Sequence, residues 1–417
     1  MVSQNTITWL RLSAGDLFRA LIAMILLASL QLYCAARPLG RVLEHFEYAF
    51  LQQALASQSR AEDSQGSSRL PVVVDISTVN FDRSLPTDRD QIAELVDELE
   101  KLGASAIGLD IDFSPDDQGN FISPRDPKLF NDWMRLRNVR VGVFRREGLA
   151  PDQWLGRSEF RDLAAGIRVP ESDVQHAYYF TSAATSAAYL VQLPAALSEV
   201  IGESSVPRFG SSEDRTLIRR PLGAGIGSME VGEYVIDYSF LGRIPSVPYT
   251  DPQHLRYYGE QIQGRVVLVG DLRDSADANC TGQSRTPVAG VLVHACAFAS
   301  LTHGRLLEID RATSRRYDVY LFAIVTALLS GARALQMFRR GGVHFNLHVL
   351  EIALYTTAAV AVFGGCFFFL HVTRLFWPDF LWISTALFFQ PYFAELMGIS
   401  TRAVRAVFAA PAREVRT

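Results

Sequence analysis

An α/β domain built on a mixed, largely parallel sheet with flanking helices, joined to four transmembrane α-helices, is the fold class this sequence predicts. Three observations predict it. Between Pro71 and Asp310, short aliphatic runs alternate with amphipathic helical patterns, the rhythm of strand–helix–strand units in a parallel sheet. Within that region Val266–Val269 is an unbroken aliphatic run bounded by glycine, as in a strand buried on both faces. Outside it lie four apolar stretches of about 20 residues, each long enough as a helix to cross a bilayer.

The chain has 417 residues and a net charge of −4, with arginines and acids well mixed, so it carries no nucleic-acid footprint. Its apolar fraction of 49 % is ordinary; the positive mean hydropathy comes from local concentration. The predicted organisation is a cytoplasmic N-terminus (1–16), a first span (17–36), an extracytoplasmic domain (37–316, core 71–310), three further spans (317–335, 347–370, 375–397) and a cytoplasmic basic tail (398–417). The first stretch is longer than the apolar core of a signal peptide and is read as an uncleaved anchor. Orientation follows arginine placement: Arg11, Arg339, Arg340, Arg402, Arg405, Arg413 and Arg416 are cytoplasmic when both termini are inside. Arg37, Arg41, Arg311, Arg315 and Arg316 then lie outside, which weakens the rule without reversing it.

Taken in order, residues 39–57 carry Leu43, Phe46, Phe50 and Leu51 at helical spacing, and 57–69 is a polar Ser/Gln-rich linker. Pro71–Ile76 reads as a strand. Asp88–Leu102 places Ile92, Leu95, Val96, Leu99 and Leu102 on one helical face and ends at Gly103. Ala104–Phe113 is a second strand; Lys128–Arg137 and Val139–Phe144 repeat the helix and strand, and Val266–Val269 adds a fourth strand. His176–Ser182 reads as a strand and Thr185–Ile201 as a helix interrupted by Pro194. Tyr234–Phe240 reads as a strand, Gly242–Pro252 as a proline-bearing connection, and Val288–Asp310 holds a helix stopping at Gly304. In the tail, Ile399, Ala403, Val404, Val407 and Phe408 share one arc and Arg402 and Arg405 the other, which suits a helix lying on anionic lipid or docking on a protein.

The candidate chemistry is acidic. Asp75, Asp110 and Asp112 fall at the C-terminal ends of strands read as adjacent, and that edge of an open α/β sheet holds the ligand crevice. Converging carboxylates there can bind a cation or an amine, or can accept backbone N–H bonds from the following turns. Asp110 and Asp112 also form the D-x-D pattern of metal-dependent transferases, although no base or nucleophile accompanies them. In the loop after Val269, Asp271, Asp274 and Asp277 recur every three residues without the glycine and glutamate of an EF-hand, so ligand contact is expected there and metal is not. Gly223–Glu230 has serine where a dinucleotide fingerprint needs glycine and does not follow a strand, so no cofactor is expected. His294 reads as a hydrogen-bonded core histidine, and Cys296 as a small apolar helix residue in preference to a disulfide partner of Cys280.

Several of these stretches carry a family resemblance: VVVDIS, SLPTDRDQIAELVDEL and GASAIGLDIDFSPDD, then IDYS, GRIPSVPYTD, GRVVLVGDLRD and VAGVLVHACAFASLTHGRLL, in that order. Together, with one predicted span before them and three after, they resemble the CHASE2 domain, the extracytoplasmic sensor module of bacterial signalling proteins. Arg215–Pro221 resembles a further strand of that family, with Glu213-Asp214-Arg215 where a turn glycine is usual. The resemblance implies a ligand-facing loop around Asp271, Arg273 and Asp274, and location in the bacterial inner membrane with the large domain periplasmic.

Proteins with this module usually continue into a cyclase, kinase or other output domain, whereas here only about 20 residues follow the last predicted span. The expected function is therefore a non-enzymatic membrane sensor. It would detect a periplasmic ligand or protein and relay the change to itself or to a separate output partner. Two other readings stay open: a membrane-bound metal-dependent transferase using Asp110 and Asp112, and a structural subunit of a membrane assembly that senses nothing.

Overall fold

The computed structural model describes residues 46–57, 70–79, 87–116, 120–144, 160, 162–167, 176–178, 180–181, 190–202, 219–221, 228–230, 233–273, 278–279, 287–304, 306–309, 311–338, 347–378, 380–381, 383–385, 387–389 and 392. The first predicted span, the tail after Ile399, Asp274, Cys280 and the Arg339–Arg340 pair lie outside the described residues. The chain divides into two compact units, Tyr48–Glu308 and a second made of the residues on either side.

The first unit is an α/β sandwich around a six-stranded sheet. Its strands are β1 (Val72–Asp75), β2 (Ala106–Leu109), β3 (Val139–Val143), β4 (Ala164–Gly166), β5 (Ser246–Pro248) and β6 (Val266–Gly270). They run in the order β5-β1-β6-β2-β3-β4, and every pairing is parallel. Among the described residues the helices longer than one turn are α1 (46–57), α2 (Arg89–Lys101), α3 (Asp126–Leu136), α4 (Leu193–Val200) and α5 (Gly290–Gly304). Strand alternation divides the apolar side chains into two cores. Val73, Ala106, Val266 and Leu268 face α4 and α5. Val72, Val74, Ile107, Leu109, Val267 and Val269 face α2 and α3. Burial on both faces explains why β1, β2, β3 and β6 are nearly continuous aliphatic runs.

Two close approaches fix the layer of α4 and α5. A Cβ on Gly108 of β2 would stand 2.7 Å from Leu197 Cδ1, so glycine lets α4 press on the sheet. A Cβ on Gly270 would stand 2.7 Å from Val291 Cβ, so glycine at the end of β6 admits the start of α5. Apart from the half-buried Leu292, α5 is buried from Val291 to Leu301, as befits a helix of small and apolar residues without a polar stripe.

Four local expectations change. Tyr234–Phe240 is not one strand: Glu233–Val235 is extended, then Asp237 accepts the Ser239 N–H at 2.9 Å and turns the chain into a 3₁₀ segment at Tyr238–Phe240. The proline-bearing connection contains β5, which tolerates Pro245 and Pro248 because it is an edge strand. Pro194 sits in the first turn of α4 and starts that helix, its missing N–H costing nothing there. Finally, β1 and β2 are not adjacent, because β6 inserts between them.

The second unit contains α6 (Arg311–Phe338) and α7 (Leu347–Thr373). By length and composition one helix among the described residues, Ile352–Thr373, can cross a membrane. Val360, Phe367, Phe368, Phe369 and Val372 of α7 are exposed, as are Tyr320, Ile324 and Leu328 on one stripe of α6. After α7, Arg374 adopts a left-handed backbone (φ 54°), and Trp377 Nε1 donates to Ser314 Oγ at 2.8 Å, which in turn donates to the Pro378 carbonyl at 2.8 Å.

Candidate functional site

The C-terminal edge of the parallel sheet gathers most of the acids singled out from sequence. β1 ends at Asp75, β6 runs into Asp271 and β2 into Asp110, and these three strands are neighbours in the order β1-β6-β2. Each carboxylate has a different task. Asp75 Oδ1 accepts the backbone N–H of Ser77 at 3.0 Å and of Leu272 at 3.1 Å, while Oδ2 accepts the Ser77 hydroxyl at 2.9 Å. It thereby ties the turn after β1 to the turn after β6. Asp112 Oδ1 accepts the N–H of Ser114 at 2.8 Å and of Phe144 at 3.2 Å, joining the loop after β2 to the end of β3. Asp271 Oδ1 accepts the N–H of Arg273 at 2.7 Å, a local turn that leaves Arg273 at the surface.

Asp110 differs. Its side chain is 7 % exposed and its Oδ1 lies 3.7 Å from His294 Nε2, which also stands 3.0 Å from the Ile167 carbonyl oxygen beyond β4. His294 is the fifth residue of α5, so the crevice wall is shared by β2, the chain after β4 and the last helix of the unit. A buried carboxylate against an imidazole can store a proton or present a hydrogen-bonding pair to a polar ligand. Asp110 and Asp112, the D-x-D pair, thus face different partners. Among the described residues, no three His, Cys, Asp or Glu side chains form a group that could hold a metal ion.

The sequence reading did not find a second buried charge at this edge. Arg89 and Asp126, the first residues of α2 and α3, pair through Nε and Oδ1 at 2.9 Å and are 5 % and 1 % exposed. The Arg89 guanidinium carbon lies 4.0 Å from the centroid of Phe113, and Asp126 Oδ2 accepts the Ser123 N–H at 3.1 Å. A cation at a helix N-terminus opposes the macrodipole, and that misfit was the available signal that Arg89 has a dedicated partner.

Elsewhere on the unit, Arg256 reaches Glu98 of α2 with Nε at 2.6 Å and Nη2 at 3.3 Å, and this hydrogen bond holds the Glu98 carboxyl below its usual range. Burial pushes Glu199 of α4 up, against the pull of Arg140. Burial also raises the Cys296 thiol, which keeps it protonated and inert inside α5.

A family model for the CHASE2 domain matches residues 20–332, three quarters of the chain. The chain belongs to the CHASE2 domain family. That family consists of sensor domains, usually extracellular. Neither a curated protein nor a solved structure matches the chain. The CHASE2 match takes in β1 to β6, both cores and the crevice edge, and runs on into α6.

Proposed function

We propose that this CHASE2 protein is a multi-pass sensor of the bacterial inner membrane, with both termini inside and the Tyr48–Glu308 unit outside. In this reading the unit detects a ligand or protein at the C-terminal edge of its sheet. It passes the change through the membrane helices to a separate partner and performs no chemistry itself. Membership of a sensor family over residues 20–332 carries the reading. The crevice supports it: carboxylates and a histidine from β1, β6, β2 and α5 converge where open parallel sheets take their ligands.

The membrane part is supported by the exposed phenylalanines of α7, which have no place in water, and by aromatic rings where the helices meet the interface. Tyr317, near the start of α6, packs edge-on against Trp377, just after α7, with centroids 5.9 Å apart. Two antiparallel spans would bring those ends to the same membrane face. Membrane helices associate through small residues, and α7 offers Ala358, Ala361, Gly364 and Gly365 to a partner. Crosslinking in intact cells tests the reading, since a relay that acts through a separate partner must be held by a second copy or a second protein.

A further inference from the structure

The sensor unit takes up the chain at Tyr48 and releases it at Glu308. These residues meet: the Tyr48 hydroxyl donates to Glu308 Oε2 at 2.8 Å, and both are buried. One turn along α1, Gln52 is fully buried and brackets the corner after Val235. Its Nε2 donates to the Ile236 carbonyl at 2.6 Å, and its Oε1 accepts the Tyr238 N–H at 2.9 Å. The outgoing chain joins the same corner, where the Val235 N–H donates to the Leu306 carbonyl at 2.9 Å. Incoming helix, corner and outgoing strand therefore close into one ring of buried hydrogen bonds. Opening it at any point breaks a buried hydrogen bond.

Helix α5 connects this latch to the crevice. Near its start Val291 presses on Gly270 and His294 faces Asp110. Two turns on, Ser300 Oγ accepts the Asp237 N–H at 2.8 Å, in the corner that Gln52 brackets, and donates to the Cys296 carbonyl at 2.7 Å. Val291 and Ser300 are about 14 Å apart along the helix axis. Because α5 is enclosed by packed side chains, a shift at one end cannot be absorbed by solvent and reaches the other.

We propose that α5 couples the crevice to the latch, so that losing contacts at either end weakens the other, and that the latch is where this sensor reads out its state. The proposal rests on the sensor reading above but is tested without ligand or partner. Hydrogen exchange, resolved to single amides, is measured on the full chain in lipid nanodiscs. Tyr48→Phe should speed exchange at Val235 and Tyr238 and, on the order of tenfold, at Ser77 and Leu272, whose amides donate to Asp75 at the crevice. Asp110→Asn should speed Val235 and Tyr238 by a similar factor, since coupling between two sites is reciprocal. Val73 and Ile107, in the centre of the sheet, should stay protected in both variants, which separates coupling from general loosening. If Asp110→Asn does not fold, Gly270→Ala perturbs the same end by pushing on Val291. Effects confined to the mutated end, or an equal change at Val73 and Ile107, overturn the proposal. Failure here leaves the sensor reading standing, and a chain that captures no partner leaves the coupling standing.

Discussion

Removing one member of the Arg89–Asp126 pair should be the most damaging single change in the sensor unit. Both side chains are almost wholly buried, and their contact is one hydrogen bond of 2.9 Å. Among the described residues Arg89 Nη1 is buried without a hydrogen-bond partner, so the cost of taking the guanidinium out of water is not fully repaid there. Breaking such a pair strands a buried charge and costs about 3–5 kcal/mol. Arg89→Met also gives up the contact over Phe113. For a unit of this size each kcal/mol moves the thermal midpoint by about 2–4 °C, so Arg89→Met or Asp126→Leu alone should lower it by roughly 6–20 °C. The double variant has no stranded charge and should recover most of the loss, giving a coupling on the order of 3 kcal/mol. Tryptophan fluorescence of the detergent-solubilised chain follows the transition, because Trp133 of α3 is buried against Phe113. A single-variant shift below about 3 °C, or strict additivity in the double variant, would refute this account of the pair.

The Glu98–Arg256 pair sets an acid-side response. Because the hydrogen bond from Arg256 lowers the Glu98 pKa from its usual 4.5, its stabilisation is full above that value and is lost as pH falls through the lowered one. Thermal midpoints at pH 6 and below 4.5 should therefore converge in Glu98→Gln relative to the parent chain; parallel losses would contradict the assignment. Topology gives a second outcome: alkaline phosphatase fused after Asp251 should be active and fused at Thr417 inactive, whereas an active C-terminal fusion would show that the spans are miscounted.

Much of the sheet was legible in the sequence, for a physical reason. β1, β2, β3 and β6 are buried on both faces, so VVVD, AIGL, VRVGV and VVLVG stand out as aliphatic runs. The 3.6-residue pattern of α2 marked its buried face equally well. What escaped were elements held by context. β4 is AAG and β5 is SVP, three residues each, and nothing in such fragments shows that a neighbouring strand supplies their hydrogen bonds. Tyr234–Phe240 has a strand's composition, but Asp237 caps its own downstream amide and wins locally. The insertion of β6 between β1 and β2 is a pairing across more than 150 residues, and no local pattern encodes it. The same limit applies to the site. Asp75, Asp110 and Asp112 could be placed at strand ends, whereas their partners Leu272, His294 and Phe144 depend on which strands are neighbours.

The central claim is that the state of an outer sensor unit is read by something this chain holds in the membrane. Photocrosslinking from α7 and from the region after Ile399, in intact cells expressing the full chain, tests it most directly. A discrete adduct, with a second copy or a second protein, should form and survive purification. Deleting Ile399–Thr417 should abolish that adduct while membrane insertion stays normal. A full-length chain that proves monomeric after solubilisation and yields no adduct from either position would contradict the relay.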